Sequence, residues 1–188
     1  MVTAQRHPLL LSLFLICLSS RTLANGPIPI QQDMLITSSV TIKPGVYQLN
    51  ASDSLSRPLI RIRGNNITVD FKRALLQGSN NRQLPNQFYG LAVLVEGNNI
   101  TIRNARISGY KVAIMARGCK DLRVQNSDFS YNYRQQLQST WLHEDVSDWM
   151  SYHHNEKDEW LRYGAGIYLK DCTGSIIRNN TITGGQCA

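Results

Sequence analysis

The chain has 188 residues, 42% of them hydrophobic, and a formal net charge of +7. Its length argues for one domain. The basic residues are scattered, without the run or stripe that marks a nucleic-acid partner, and no CxxC pair of the kind that holds a metal is present. The first residues have the three parts of a secretory signal. Arg6 supplies the positive start, Leu9 to Leu18 is apolar except for Ser12, and Thr22-Leu23-Ala24 puts small residues at −3 and −1 of a cleavage site. Cleavage after Ala24 is expected, with export to the periplasm, the cell surface or the medium. The apolar run is shorter than the roughly 20 residues a membrane span needs, so no span is expected once residues 1–24 are removed. Their removal leaves 18 basic residues against 13 acidic ones, a mild basic excess that suits an acidic polymer as partner. Three cysteines remain, Cys119, Cys172 and Cys187, and an odd number leaves one unpaired within the chain.

Residues 25–56 are read as an N-terminal cap and first coil, and residues 57–188 as a stack of repeats. Four segments of 22 residues, 57–78, 90–111, 112–133 and 165–186, align without internal gaps. The eleventh place reads Ile67, Ile100, Leu122, Ser175 and the thirteenth Val69, Ile102, Val124, Ile177. The third reads Leu59, Ala92, Ile114, Ile167 and the eighteenth Ala74, Ile107, Phe129, Ile182. Alternation at places eleven and thirteen is the period of a strand with one buried face. Such short strands cannot bury that face alone. Stacked coils about 4.8 Å apart continue each apolar column through a common core. The fifteenth place, Phe71, Asn104, Asn126, Asn179, predicts a corner in left-handed backbone with an amide ladder running from coil to coil. The fold expected is an all-β parallel β-helix. Its last coil ends at Gln186 with no polar cap, so the sequence reads as C-terminally truncated.

These columns, with the opening stretch Lys43-Pro44-Gly45-Val46-Tyr47, resemble the right-handed parallel β-helix proteins of the pectin-lyase-like superfamily. Within it the chain is most similar to the carbohydrate-binding and sugar-hydrolysis repeat domains. The resemblance covers roughly residues 33–188. It implies a polysaccharide partner, acidic in view of the basic scaffold, and calcium as cofactor if the activity is that of a lyase. It does not choose an activity, because this superfamily hosts lyases, hydrolases, epimerases and binding proteins.

Two interruptions, residues 79–89 and 134–164, leave the repeat between its last place and its first. They therefore leave at the same corner, around Tyr110 and Lys111 of the uninterrupted coil, and are expected to wall a surface there. The long one holds all three tryptophans, Trp141, Trp149 and Trp160, and the three histidines of the mature chain, His143, His153 and His154. Trp141, Val146, Trp149 and His153 recur at near-helical spacing with Ser139 or Thr140 as cap, so a helical lid is expected from about Ser139 to Trp160. Trp141 and Trp149, with Tyr110, Lys111 and Arg106, are candidates for holding substrate; the tryptophans equally suit a small packing core. Asp145, Asp148 and Glu156 can supply paired carboxylates, and His153 and His154 an acid or base. The alternative is an ordinary acidic, solvated surface. The HExxH spacing is missed, since position 147 is Ser, and no metal site is assigned. Arg103 and Arg178, in the fourteenth place, and Arg73 and Arg106, in the seventeenth, are uronate-binding candidates or plain solubilising residues.

Gly64, Gly97, Cys119 and Cys172 share the eighth place, so register puts the two cysteines on neighbouring coils, as a disulfide or as a pair of buried thiols. The paired-Asp and His-Gly motifs of polygalacturonase-like hydrolases are missing, as is the Asp-Pro-His motif of alginate epimerases. The readings that remain are a polysaccharide lyase or hydrolase, a non-catalytic carbohydrate-binding or cell-surface β-helix, and a periplasmic metal-delivery accessory protein.

Overall fold

Short strands, three in each of the first three coils and two in each of the last two, build the molecule, and the backbone groups of each are satisfied by the neighbouring coils. The structure, a computed structural model, describes residues 26–79, 82–148 and 163–184. The first coil holds β1 (Met34–Ile36), β2 (Val40–Thr41) and β3 (Val46–Gln48). The second holds β4 (Ile60–Arg63), β5 (Thr68–Asp70) and β6 (Leu75–Gln77). The third holds β7 (Leu91–Glu96), β8 (Thr101–Arg103) and β9 (Arg106–Ser108). The fourth contributes β10 (Val112–Arg117) and β11 (Arg123–Gln125), and the fifth β12 (Ala165–Lys170) and β13 (Ile176–Arg178). All pairings between these strands are parallel. They form a first sheet in the order β1-β4-β7-β10-β12, a second in the order β2-β5-β8-β11-β13 and a third of β3-β6-β9. Single bridges, Arg106 to Asp128 and Asp128 to Thr181, carry the third face into the last coils.

The second sheet keeps the register expected from the repeat: Val69 pairs with Ile102, Ile102 with Val124, and Val124 with Ile177. The first three are fully buried and Ile177, in the outermost described coil, is 40% exposed. The first sheet keeps it between β4 and β7 and between β10 and β12, where Ile60 pairs with Val93 and Ile114 with Ile167, and slips by one place between β7 and β10. Ile114 pairs with Val93, not with Ala92, and Val112 with Leu91. The cause is one extra residue at the following corner. A single residue, Gly97, separates Glu96 from the bridge residue Asn98; two, Gly118 and Cys119, separate Arg117 from its bridge partner Lys120. Gly118 has φ 61, and a Cβ there would meet nothing within 4 Å, so the extra residue bulges outward without disturbing the stack. The fifth coil repeats it at Asp171, φ 54.

The left-handed corner is where it was expected, with Asn104, Asn126 and Asn179 at φ 57, 55 and 55. The amide ladder is not. The Asn104 amide donates to the Asp70 carboxylate at 2.9 Å. The amide-to-amide bond lies at the corner between the first and second sheets instead, where Asn99 Nδ2 donates to Asn66 Oδ1 at 2.7 Å.

The expected helical lid is also corrected over its described part. Residues 139–145 are not helical, and only a 3₁₀ turn at Val146–Asp148 forms. Ser139 does engage a backbone amide, but that of Asp145, six positions on and not the second or third of a helix. The Asp148 carboxylate accepts the amides of Gln138 and Ser139 at 2.9 and 2.6 Å, folding the segment back on itself as a closed loop. The remainder of the expected lid, with Trp149, His153, His154, Glu156 and Trp160, lies outside the described residues. Among the described residues no helix is long and apolar enough to cross a membrane.

Close approach of coils is tested most sharply at Gly97. Its φ is +134 and a Cβ there would lie 1.8 Å from the Gly64 carbonyl oxygen. Gly97→Ala is expected to destabilise the protein by at least about 2 kcal/mol, through backbone strain and separation of two coils. A urea titration checks it, with the midpoint falling and the slope unchanged.

Candidate functional site

The connections from the third sheet to the first decide where a site can form. Three of them are long: residues 49–59, 78–90 and 130–164. Between the last two lies a tight passage at Gly109–Lys111. The sequence reading found the second and third. It missed 49–59 because that segment precedes the first aligned repeat, although its run Asn50-Ala-Ser-Asp-Ser-Leu-Ser-Arg-Pro58 is loop-like.

Residues 49–59 lean over the outer face of the first sheet. Leu91, Val112 and Met115 form a buried cluster there, outside the main core, with Leu55, Leu94, Ala165 and Tyr168 packed against it. Parallel register aligns Arg61, Leu94, Met115 and Tyr168 across four coils. Two residues further along the strands, Arg63 stands opposite Glu96, and Arg117 opposite Lys170. A groove of about 540 Å³ runs over this face, lined by Leu55, Arg61, Leu94, Glu96, Met115 and Arg117 among others. Glu96 accepts from Arg61 at 2.8 Å and Arg63 at 2.9 Å. Burial alone would push its carboxyl up, but the hydrogen bonds and charges of Arg63 and Arg61 outweigh this and hold it below the ordinary range. The Arg117 guanidinium lies 5.8 Å from the centroid of the Tyr168 ring.

A second, more polar cleft of about 690 Å³ opens at the loop corner itself, between Ala51, Asp53, Gln87, Tyr89, Lys111 and Tyr133. The Lys111 ammonium sits 5.3 Å from the Tyr133 ring centroid. The insertions do not stand apart as separate walls. The Arg134 amide donates to Pro85 O at 3.3 Å and Asn86 Nδ2 to Gln136 Oε1 at 3.2 Å, so their feet join over the tight passage. Leu84, Pro85 and Leu137 line a further cavity between them.

A family model described as "right handed beta helix region" matches residues 44–188. The chain belongs to that family. Comparison with curated proteins and with solved structures gave no match.

Within this right-handed β-helix the sequence-derived candidates scatter. Lys111 lines the corner cleft. Tyr110 does not: it is fully buried, and its hydroxyl donates to Leu49 O at 2.6 Å. It is a core residue tying the third coil to the first loop, and burial pushes its phenol far above the ordinary range. Arg106 is exposed on β9 of the third sheet, away from both clefts. Trp141 is 92% exposed on the long insertion and packs no core. Asp145 is half-buried beside Ser139. The hydrogen bonds from the Ser139 and Gln138 groups hold Asp148 below the ordinary carboxylate range, so it serves as a loop clasp. Arg103 is spent on Asp70, at 3.1 Å, and Arg178 donates to Gln125 at 3.0 Å. Among the described residues no group of three His, Cys, Asp or Glu side chains converges for a metal. The structure has Cys119 and Cys172 as free thiols, Cys119 buried and Cys172 half-buried. What sequence reasoning missed is the row on the first sheet. Its signal was present in the Ile60-Arg61-Ile62-Arg63 alternation, where apolar residues enter the core and arginines face out.

Two experiments separate scaffold from site. Tyr110→Phe leaves a partly buried carbonyl without its donor and is expected to cost about 1 kcal/mol, with ligand retention unchanged; thermal unfolding and a binding assay read the two together. Asp70 is almost fully buried. Burial alone would raise its pKa. The Asn104 and Lys72 hydrogen bonds and the charges of Arg103 and Lys72 bring it below the ordinary 3.8. A depressed pKa contributes stability that is present above the unfolded value and lost as pH falls through the folded one. Stability is therefore expected to drop as pH falls below about 4, and Asp70→Asn to flatten that part of the acid unfolding curve while lowering stability at pH 7.

Proposed function

We propose that this protein is exported and binds an acidic polysaccharide along the outer face of the first sheet. The observation that carries the reading is the aligned row there: Arg61, Arg63, Arg117 and Lys170, with the carboxylate of Glu96 among them, beside the strip Leu94–Met115–Tyr168. Guanidinium groups suit uronate carboxylates because they donate two parallel hydrogen bonds in the plane of the acceptor. An aromatic ring and aliphatic side chains give the apolar face of a sugar ring something to lie on. The coil spacing of about 4.8 Å repeats these groups along one line, which suits a polymer more than a monosaccharide. The signal-like first 24 residues support export.

Binding is better supported than cleavage. Glycoside hydrolysis needs one carboxyl that keeps its proton near neutral pH. Glu96 and Asp148 are both held ionised by their donors. Elimination needs a base beside the sugar ring, for which Lys111 in the corner cleft and Arg61 and Arg117 in the groove are the basic lining residues.

The test uses the full-length protein with an insoluble polyuronate and a neutral glucan, with calcium present. Retention is expected on the polyuronate only, weakening at high salt as exposed charges are screened. Arg117→Ala and Lys170→Ala should each weaken it about tenfold, the effect of losing a charge-assisted hydrogen bond worth about 1.5 kcal/mol. Arg178→Ala, on the second sheet, should leave it unchanged. Equal retention on the glucan, or none on either polymer, would overturn the reading. Ultraviolet absorbance from unsaturated uronate would make the protein a lyase, and new reducing ends alone a hydrolase.

A further inference from the structure

The corner between the first and second sheets carries a thiol pair that polysaccharide binding does not use. Cys119 lies two residues beyond the end of β10, and Cys172 two beyond the end of β12. The two corners are tied together around them. Lys120 bridges to Thr173, the Thr173 amide donates to the Cys119 carbonyl at 3.0 Å, and the Asp121 amide donates to the Thr173 carbonyl at 2.9 Å. The cysteines therefore hold equivalent places on adjacent coils. Strand spacing puts such Cα atoms about 4.8 Å apart, inside the range of about 4.4–6.8 Å that a disulfide spans without backbone movement.

The side chains point in a useful way. Cys172 Sγ reaches back onto the fourth coil, where it donates to the Ala116 carbonyl at 3.4 Å. Cys119 Sγ is turned one coil further, toward the Val95 carbonyl at 3.5 Å. The two thiols are already near enough to interact, Cys172 acting on Cys119 through a side-chain hydrogen bond as well as through charge. Burial pushes the Cys119 thiol above its ordinary range, and the neighbouring Cys172 pushes it the same way, so two thiolates side by side are disfavoured.

We propose that Cys119 and Cys172 are an oxidation site, closing to a disulfide that staples the fourth coil to the fifth at the corner between the first and second sheets, one strand's length from the base of the 134–164 insertion. The half-buried Cys172 meets an external disulfide first. Its thiolate attacks one sulfur of that disulfide, forming a mixed disulfide and releasing one thiol. The Cys119 thiolate then attacks Cys172 Sγ, forming the internal bond and releasing the second thiol. Two electrons pass to the oxidant, whose S–S bond becomes two thiols carrying the two protons the cysteines lose. The bond closes a loop that contains the whole long insertion, restricting the unfolded chain more than the native one.

The test oxidises the full chain under native conditions with oxidised glutathione, blocks free thiols, and maps peptides by mass spectrometry without reduction. A peptide joining Cys119 to Cys172 is expected, two hydrogens lighter than its parts and lost on reduction. The oxidised form should unfold at a higher temperature than the reduced one, and Cys187→Ser should keep both results. Cys119→Ser should trap glutathione on Cys172. Separate blocking of Cys119 and Cys172 after oxidation would overturn the proposal, as would a link from either to Cys17 or Cys187.

Discussion

Adjacent coils sit about 4.8 Å apart because the backbone of each is hydrogen-bonded to the next, and everything else in the molecule is arranged around that distance. The bonds run along the stack: Asn99 N to Lys120 O, Arg123 N to Ile100 O, Phe129 N to Thr181 O. Once they form, equivalent side chains must lie over one another. Val69, Ile102 and Val124 are fully buried for that reason, each supplying the wall against which the next packs. The same distance leaves no room for a side chain where two corners touch, so Gly64 and Gly97 lie carbonyl against Cα.

Such a stack tolerates additions only where they leave the hydrogen-bonded strands untouched. Residues 49–59, 78–90 and 130–164 all emerge between the third sheet and the first. One edge of the prism is thus crowded with loops while the left-handed asparagine corner stays bare. One of them, residues 49–59, roofs the neighbouring first sheet. Its outer face would otherwise be an ordinary solvated surface; under Leu55 it becomes a second apolar cluster bordered by arginines. Scaffold and groove are consequences of one rule about where the chain can depart from its repeat.

That rule also explains what the amino-acid order disclosed. The second sheet was legible residue by residue, because its inward positions are Val, Ile and Leu at an unvarying interval. The first sheet was legible only to within one place. Gly118-Cys119 and Gly97 are all small, corner-compatible residues, and nothing in an ungapped alignment tells a corner of two from a corner of one. Tyr110 read as a surface residue because its place in the coil adjoined the insertions; its burial depends on the Leu49 carbonyl, a long-range partner. Leu94, Met115 and Tyr168 carry no signal of their own in the sequence, since only stacking shows that they share an outward line. The helical spacing of Trp141, Val146 and Trp149 was genuine as a pattern. A local competitor, the Asp148 carboxylate on the Gln138 and Ser139 amides, overrode it in the described part.

The extra residue at Gly118 divides the coils into two circumferences. The second and third coils share the shorter corner, and the fourth and fifth share the longer one. Coils of equal circumference stack corner on corner, and those of unequal circumference stack only with a surplus residue bulged outward. A gene duplication that copied the fourth coil beside itself would produce a seamless extension. The same copy inserted between the second and third would meet a mismatched corner on both sides. Growth of this scaffold by coil duplication is therefore smoothest within each pair, and a copy that crosses from one pair to the other needs an outward bulge like the one at Gly118.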